Sequence, residues 1–416
     1  MKSIACIALC SISLLAAAYP RSEGETATSA DGFVDRAGVN IHLHYTDTSY
    51  GNFAKVASSI KALGVRHVRD GLIDTKWTEY YDRLNQLGHA GVKATLITSP
   101  KQSDALLSDY PRRVRDGFEA YEAPNEYDQS GDADWPGTLN SFLPRLYKAV
   151  KENPATAKFP VVGPSLTHAD SYPKVAVDPR FFDFANLHNY WAGRNPGTPG
   201  WGADGYGSFR WTLRLPARAW PGKPVMTTET GYFNDPQKQD SVPEEIAGKY
   251  LTRLLFEQAL HGIERTYIYE LADLGGKHGS GDGTFGLVHA DFSPKPGFTA
   301  VKNVLQLLSD PGPSFRAAKL EFALSGDLNG VDHMLLEKRN GTFYLAIWIE
   351  EPGYDVNAKK VLPVASRNVE LKTDGSLKVR LHQLNESGEM RSSDLGAGTT
   401  HRVEASDQVA ILEVSK

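Results

Sequence analysis

Strand-like and helix-like segments alternate between residues 33 and 310, and this alternation limits the fold more than any other feature of the chain. Short apolar runs are separated by longer stretches whose apolar residues recur at helical spacing. In 53–63, for example, Val56, Ile60 and Leu63 fall on one helical face, and Gly64 follows as a residue typical of helix ends. Strands that alternate with helices form parallel sheets, and eight such units predict a (β/α)8 TIM barrel over 33–310.

The predicted barrel strands are short, and their carboxyl ends meet at one mouth of such a barrel. They comprise 38–42, 65–69, 94–98, a strand that carries Asn125-Glu126, 161–163, 184–188, 225–228 and 266–270. The predicted helices are 53–63, 77–87, 138–151, 244–261 and 298–308. Residues at the carboxyl ends of the strands are therefore the first candidates for chemistry.

The pattern changes after Asp310, where the helical periodicity ends. Alternating apolar and polar runs follow at 334–338, 342–349, 369–373, 377–384 and 409–414. Asn340-Gly341 stands between two of these runs and is a strong signal for a β-hairpin. Residues 314–416 are therefore predicted to form an antiparallel β-sandwich domain.

The first 18 residues are predicted to be a secretory signal peptide, with Lys2 at the start, an apolar run over 4–15 and small residues at 16–18. Both cysteines, Cys6 and Cys10, lie within it, so the mature chain has neither disulfides nor thiolate ligands. Residues 19–32 are polar and are predicted to form a flexible leader. We expect a secreted protein, extracellular or periplasmic.

Charge and composition restrict the partners. The formal net charge is −5 with no basic tract, which argues against nucleic acid and anionic membranes as partners. Aromatic residues make up 10% of the chain, and sugar rings stack on aromatic side chains. We expect a monomer whose partner is a poly- or oligosaccharide substrate.

Two glutamates stand at predicted strand ends, Glu126 after the fourth strand and Glu229 after the seventh. Two carboxyl groups that face one cavity are the minimum apparatus for glycoside hydrolysis, and in retaining enzymes they lie about 5–5.5 Å apart. Mutual repulsion raises the pKa of one member of such a pair, which then remains protonated near neutral pH. An arginine beside the other member, for which Arg69 is the candidate, keeps that carboxylate charged.

The surroundings of both glutamates resemble the retaining glycoside hydrolases of clan A, among them families five, thirty and thirty-nine. The resemblance rests on Glu122-x-x-Asn125-Glu126 and on Lys223-Pro224-Val225-x-x-Thr228-Glu229-Thr230-Gly231. It implies that Glu126 is the acid/base, that Glu229 is the nucleophile and that Asn125 contacts the sugar 2-hydroxyl. It also implies that Arg69 supports the nucleophile and that no cofactor is needed.

Further substrate-binding residues follow from the same resemblance. His188-Asn189-Tyr190 resembles the His-x-Tyr of the sixth strand in this clan, with Tyr190 donating to the nucleophile. The clan often has Trp at the position of Pro124, and usually ends the eighth strand with a Trp that floors the sugar site. Here Tyr269-Glu270 ends that strand, so either residue is the candidate substitute. We also expect the sugar site to involve His44 and Trp191, the latter opening a loop with four tryptophans over 191–221.

Two alternatives remain. His42-x-His44 is typical of metal-dependent amidohydrolase barrels, and His168, His188 and Asp273 would complete the metal site with Glu126 as bridging ligand. This interpretation leaves Asn125 and the segment 228–232 without a role. The second alternative is a non-catalytic barrel that binds carbohydrate.

Overall fold

A computed structural model describes residues 24–275 and 281–416 of the chain. The predicted signal peptide and the first residues of the predicted leader lie outside this part. Among the described residues, no helix is both long and apolar enough to cross a membrane.

The N-terminal segment is ordered where a flexible leader was predicted. Residues 24–32 contribute strand β1 (Glu25–Thr26), strand β2 (Thr28–Ser29) and the start of helix α1 (Ala30–Asp35). The side chain of Ser29 caps this helix by accepting from the Gly32 amide at 3.1 Å. Backbone pairing with other strands orders this polar segment, which a composition argument does not detect.

Eight parallel strands form the barrel, as predicted. They are β3 (Ala37–Asn40), β4 (His67–Gly71), β5 (Lys93–Ile97), β6 (Phe118–Glu122), β7 (Val161–Val162), β8 (Ala185–His188), β9 (Val225–Thr230) and β10 (Thr266–Ile268). The hydrogen-bonded order is β7-β6-β5-β4-β3-β10-β9-β8, and a parallel bridge from Val162 to Phe184 links the two ends of the sheet. The sheet is thereby closed around a core of side chains.

Within residues 24–275 and 281–416, seven helices surround the barrel. They are α2 (Phe53–Leu63), α3 (Glu79–His89), α4 (Asp104–Arg113), α5 (Trp135–Lys151), α6 (Phe209–Ala219), α7 (Glu244–Leu260) and α8 (Pro296–Leu308). Helix α2 has the predicted bounds and ends at Gly64, whose φ of +85° is the left-handed conformation that favours glycine. Helices α4 and α6 were not predicted, and α6 replaces part of the expected loop 191–221. Each contains a proline, Pro111 or Pro216, which is unusual within a helix.

The C-terminal domain is antiparallel apart from the pairing of β2 with β13. Its strands are β11 (Lys319–Leu320), β12 (Phe322–Gly326), β13 (Val331–Glu337), β14 (Phe343–Ile349), β15 (Tyr354–Asp355), β16 (Lys360–Val361), β17 (Arg367–Leu384), β18 (Met390–Ala405) and β19 (Ala410–Ser415). The first part of β17 pairs with β12 and the second part with β19, so this long strand belongs to both halves of the fold. An apolar cluster that includes Leu345, Leu371 and Leu412 fills the space between them. The predicted β-sandwich is thus present, with β18 as an edge strand that was not predicted.

The N-terminal strands belong to this second domain. Strand β1 pairs antiparallel with β11, and β2 pairs parallel with β13. The β domain is therefore assembled from both ends of the described chain.

The barrel and the β domain share a buried interface. Trp348 of β14 packs against Phe256 of α7, with ring centroids 5.4 Å apart. The Arg253 guanidinium donates to the Ile349 carbonyl at 2.9 Å and lies 3.2 Å from a carboxylate oxygen of Glu350. Burial raises the pKa of the neighbouring Glu257 to about 8. The interface therefore contains a carboxyl group that holds its proton at neutral pH.

Candidate active site

Arg69 at the end of β4 is the centre of the polar network at the barrel mouth. Its guanidinium is buried and donates through Nε and Nη2 to the two carboxylate oxygens of Glu122, at 2.7 and 2.8 Å. Asn186 also donates to Glu122 at 3.1 Å, and the Thr228 hydroxyl lies at the same distance from that carboxylate. The buried charge of Glu122 is thus fully compensated, and Arg69 is fixed in one orientation.

The remaining donors of Arg69 point toward the mouth. Nη1 donates to Oε1 of Glu229 at 2.6 Å and to Oδ1 of Asn40 at 2.9 Å. Nη2 donates to Oδ1 of Asn125 at 2.6 Å. Asn125 is exposed, and because its oxygen is occupied by Arg69, its NH₂ group is the part left to contact a ligand.

Glu229 is held in the ionised form. Burial raises the pKa of this carboxyl, but the charges of His188 and Arg69 outweigh burial, and the pKa lies below its ordinary value. Tyr190 donates its hydroxyl to Oε2 of Glu229 at 3.1 Å. Burial and the Glu229 charge raise the pKa of Tyr190, so the phenol keeps the proton that it donates.

Glu126 lies beyond the end of β6, in the left-handed conformation with φ of +40°. Its amide donates to the Ser165 hydroxyl at 3.1 Å. One carboxylate oxygen lies 2.7 Å from Nδ1 of His188. An oxygen of Glu126 and an oxygen of Glu229 lie within 4.8 Å of each other, and both are close to the same His188 nitrogen. The two glutamates therefore face one another across a single small space.

The proton on His188 can be located from its neighbours. The Thr228 hydroxyl donates to Asn186 Oδ1 at 2.8 Å or to Glu122 at 3.1 Å, so its single proton points away from His188. Nε2 of His188, 3.0 Å from the same hydroxyl, must then be the donor. The 2.7 Å contact between Nδ1 of His188 and the Glu126 oxygen then requires a second proton, which lies between these two atoms. Glu126 and His188 share one proton.

A cleft of about 490 Å³ opens beside these residues. It is lined by both glutamates, Asn125, Arg69 and the following further residues: Asn40, His42, His44, Tyr45, Asp70, Ile73, Ser99, Tyr127 and Tyr269. Aromatic, carboxylate and amide groups therefore line the same surface, as a sugar site requires.

His44 and Tyr269 lie in this cleft, as the sequence predicts for substrate contacts. His44 is 3.3 Å from a carboxylate oxygen of Asp70, which also accepts from the amides of Leu43 and Gly71. Tyr269 packs edge-on against Phe285 at 5.3 Å. Its position at the end of β10 corresponds to that expected for the missing tryptophan.

Two residues predicted to contact substrate are buried outside the cleft. Trp191 is 1% exposed and packs between Phe209 and Tyr232, at 6.0 and 6.5 Å, because its ring fills the core beneath the loop. Glu270 is 0% exposed and accepts from the Tyr50 hydroxyl at 2.9 Å. Neither side chain lines the cleft.

Several site residues were missed by sequence reasoning. Glu122 was noted only as part of a motif, yet it anchors Arg69. Asp70 and Tyr45 were not considered, although Asp70 directly follows Arg69 at a strand end and that position was a usable signal. Tyr45 lies between the rings of His42 and His44, at 4.7 and 4.4 Å, a contact that only the fold reveals.

The histidines of the metal hypothesis have other partners. His42 lies 3.2 Å from Glu270, and His168 contacts Gln129 in an exposed loop. Asp273 accepts from the Lys295 ammonium at 2.9 Å. Among the described residues, the only group of three with metal-ligand spacing is Glu126, His188 and Glu229. The predicted ligand set is therefore not brought together.

Comparisons with known proteins identify the architecture. No family model matches the chain, and no curated protein matches its sequence. A family 39 glycoside hydrolase from Bacteroides cellulosilyticus is 15% identical, with 92% of this chain and 82% of that chain covered and a TM-score of 0.62. A monomeric β-xylosidase from Caulobacter crescentus is 16% identical, with 94% and 97% covered and a TM-score of 0.60.

A third solved structure, a glucosidase from Croceicoccus marinus, is 14% identical, with 87% of this chain and 92% of that chain covered and a TM-score of 0.58. The likeness extends over the barrel and the β domain alike. The chain therefore has the fold of these solved glycosidases, a TIM barrel with an attached β domain.

Proposed function

We propose that the protein is a secreted retaining glycoside hydrolase that cleaves β-glycosidic bonds in a poly- or oligosaccharide. One observation carries the proposal. Glu126 and Glu229 have oxygens within 4.8 Å of each other but different surroundings. Arg69 and Tyr190 donate to Glu229, whereas Glu126 shares a proton with His188. This difference is what acid/base catalysis combined with nucleophilic catalysis needs.

Glu229 is the nucleophile in this proposal. Arg69 and Tyr190 hold its two oxygens and leave the carboxylate ionised in the cleft. Attack on the anomeric carbon forms a glycosyl-enzyme and breaks the bond to the leaving group. The positive charge of Arg69 does not make Glu229 unreactive, because the Glu122 carboxylate already balances that charge through two hydrogen bonds.

Glu126 is the acid/base. It gives the proton shared with His188 to the departing glycosidic oxygen in the first step. In the second step its carboxylate takes a proton from water, whose oxygen displaces Glu229 from the anomeric carbon. Two inversions at one carbon give net retention. The two glutamates have oxygens 2.7 and 3.5 Å from the same His188 nitrogen, and this closeness supports retention, since inverting pairs stand farther apart to leave room for a water.

The NH₂ group of Asn125 is a hydrogen-bond donor, and it is suited to bind a sugar hydroxyl beside the anomeric carbon. Tyr269 and Tyr45 line the same cleft. The solved structures with the same fold include a β-xylosidase and a glucosidase, so xylosides and glucosides are the first substrates to test.

A mechanism-based inhibitor tests the proposal. The protein is assayed with 4-nitrophenyl β-xyloside, β-glucoside and related glycosides, then inactivated with the matching 2-deoxy-2-fluoroglycoside and digested for mass spectrometry. We expect one fluoroglycosyl group per chain, on Glu229, and none on Glu229→Gln. Labelling of another carboxylate would refute the assignment, and an inert protein that still binds oligosaccharides would favour the non-catalytic barrel.

A further inference from the structure

The outer face of helix α6 carries a row of arginines. Arg210, Arg214 and Arg218 follow one another at intervals of four residues, and all three are exposed. Residues four apart lie on the same side of a helix, at about 6 Å intervals along its axis. The row therefore extends for about 12 Å down the outside of the barrel.

These arginines have no carboxylate partner among the described residues, in contrast with comparable arginines elsewhere. Arg112, Arg180 and Arg402 are also exposed, and each forms an ion pair with a neighbouring carboxylate. The helix sequence 209–219 contains no acidic residue. Like charges four residues apart destabilise a helix, so the row does not contribute to the stability of the fold.

An aromatic cluster adjoins the start of the row. Trp201 and Tyr206 are 39% and 46% exposed, and the Tyr206 ring lies 4.4 Å from that of Trp211 in the first turn of α6. Asp204 connects the two parts, since its carboxylate accepts from Trp211 Nε1 at 3.1 Å and its carbonyl from Arg214 at 2.8 Å.

The rings are held in place rather than mobile in solvent. The Arg194 guanidinium lies 4.6 Å from the centre of the Trp201 ring. A side chain at position 207 would collide with the same ring, so Gly207 is required there, at a φ of +78°. The loop that carries Trp201 leaves the carboxyl end of β8, so the cluster is on the same end of the barrel as the cleft.

We propose that this surface, Trp201, Tyr206, Trp211, Arg210, Arg214 and Arg218, binds an anionic polysaccharide outside the catalytic cleft. Exposed aromatic rings stack on sugar rings, and guanidinium groups pair with carboxylate or sulfate substituents in a bidentate manner. The choice of a glycan as the ligand rests on the proposed function. The charge is local, because the chain as a whole has a net charge of −5.

Binding to matched polymers tests this surface with the full chain. Dextran sulfate and polygalacturonate are compared with dextran and methyl-esterified pectin, which share their backbones without the charge, and with double-stranded DNA. Isothermal titration at low salt should detect binding of the two charged glycans alone. The triple variant Arg210→Gln/Arg214→Gln/Arg218→Gln should bind these glycans about tenfold more weakly, because three exposed ion pairs are lost. Comparison of dextran sulfate with polygalacturonate reveals whether sulfate or carboxylate is preferred.

The matched control, Lys55→Gln/Lys61→Gln/Lys76→Gln, removes three exposed cations that form no ion pair within the described part of the chain, and it should bind as wild type does. A second variant, Arg210→Gln/Arg218→Gln, keeps the Arg214 bond to the loop and should show about two thirds of the free-energy effect, because two of the three ion pairs are lost. Equal losses in control and test variants, unchanged binding in the test variant, or tighter binding of DNA than of either glycan would overturn the proposal. Absence of aryl-glycoside turnover in wild type would refute the proposed function alone, because the binding comparison does not depend on it.

Discussion

Glu122→Gln separates the structural role of the Arg69 network from its effect on the nucleophile. Glu122 is 0% exposed and accepts two bonds from Arg69, which also holds Glu229. The substitution keeps the shape of the side chain and removes one negative charge. Without that charge, Glu229 becomes the only carboxylate that compensates Arg69, so its ionised form should be favoured further.

The expected magnitude follows from the geometry. Carboxylates that bind neighbouring nitrogens of one guanidinium are about 6 Å apart, and two unit charges at that distance with an effective dielectric of about 20 repel by about 3 kcal/mol. Loss of this repulsion lowers the pKa of Glu229 by up to about 2 units. A buried pair is broken at the same time, which costs about 3 kcal/mol or more of folding free energy.

The assay is the pH dependence of kcat/KM with an aryl glycoside, whose acid limb reports the nucleophile of the free enzyme. For Glu122→Gln this limb should move to lower pH while urea denaturation reveals the loss of stability. The matched control is Glu119→Gln on the same strand, where Glu119 pairs with His67 and Arg265 away from the cleft. It should lose stability without any shift of the limb. An acid limb that stays in place or rises in Glu122→Gln would refute the electrostatic argument.

Three further outcomes are expected. Glu229→Ala should be inactive, and added azide should restore turnover with the α-glycosyl azide as product. Glu126→Ala should retain activity on substrates with good leaving groups and give the β-glycosyl azide. Near-normal hydrolysis by Glu229→Ala would rule out Glu229 as the nucleophile. Chelator should not change turnover, and the pH profile should be a bell whose acid limb lies below 4.5, the ordinary value for Glu229, because its pKa is lowered; activity lost to chelator and restored by zinc or manganese would instead support the metal hypothesis. Glu257→Gln should raise the melting temperature at pH 8. The pKa of Glu257 is raised to about 8 in the folded chain, so the stability of the wild type declines as pH rises from about 4.3 toward 8. The gain should vanish below about pH 4 and be absent in the exposed, nearby Glu264→Gln; a gain independent of pH would contradict this explanation.

Local periodicity was sufficient to predict the barrel, because the apolar residues of each strand or helix recur at the spacing typical of that element. Helix α2 illustrates this, with bounds that match the prediction from Val56, Ile60 and Leu63. Helix α6 illustrates the failure. It contains Pro216, a residue unusual within a helix, and the segment was therefore left within the expected loop 191–221.

The site was predictable where one residue at a strand end carries the chemistry. Glu126, Glu229 and Arg69 lie together because parallel strands end at one mouth. Contacts between distant elements were not predictable. The exclusion of Glu270 from the cleft depends on Tyr50, and the proton position on His188 depends on Thr228 and Asn186, which only the assembled barrel brings within reach.

The pairing of β1 and β2 with the C-terminal domain has a consequence for biosynthesis. Residues 25–29 are made before the barrel, but their partners at 319–320 and 336–337 are made roughly three hundred residues later. The barrel sequence must therefore be complete before either strand is paired, and the β domain cannot fold in full as an isolated 314–416 fragment. Any attempt to produce that domain alone has to supply the segment 24–29 as well.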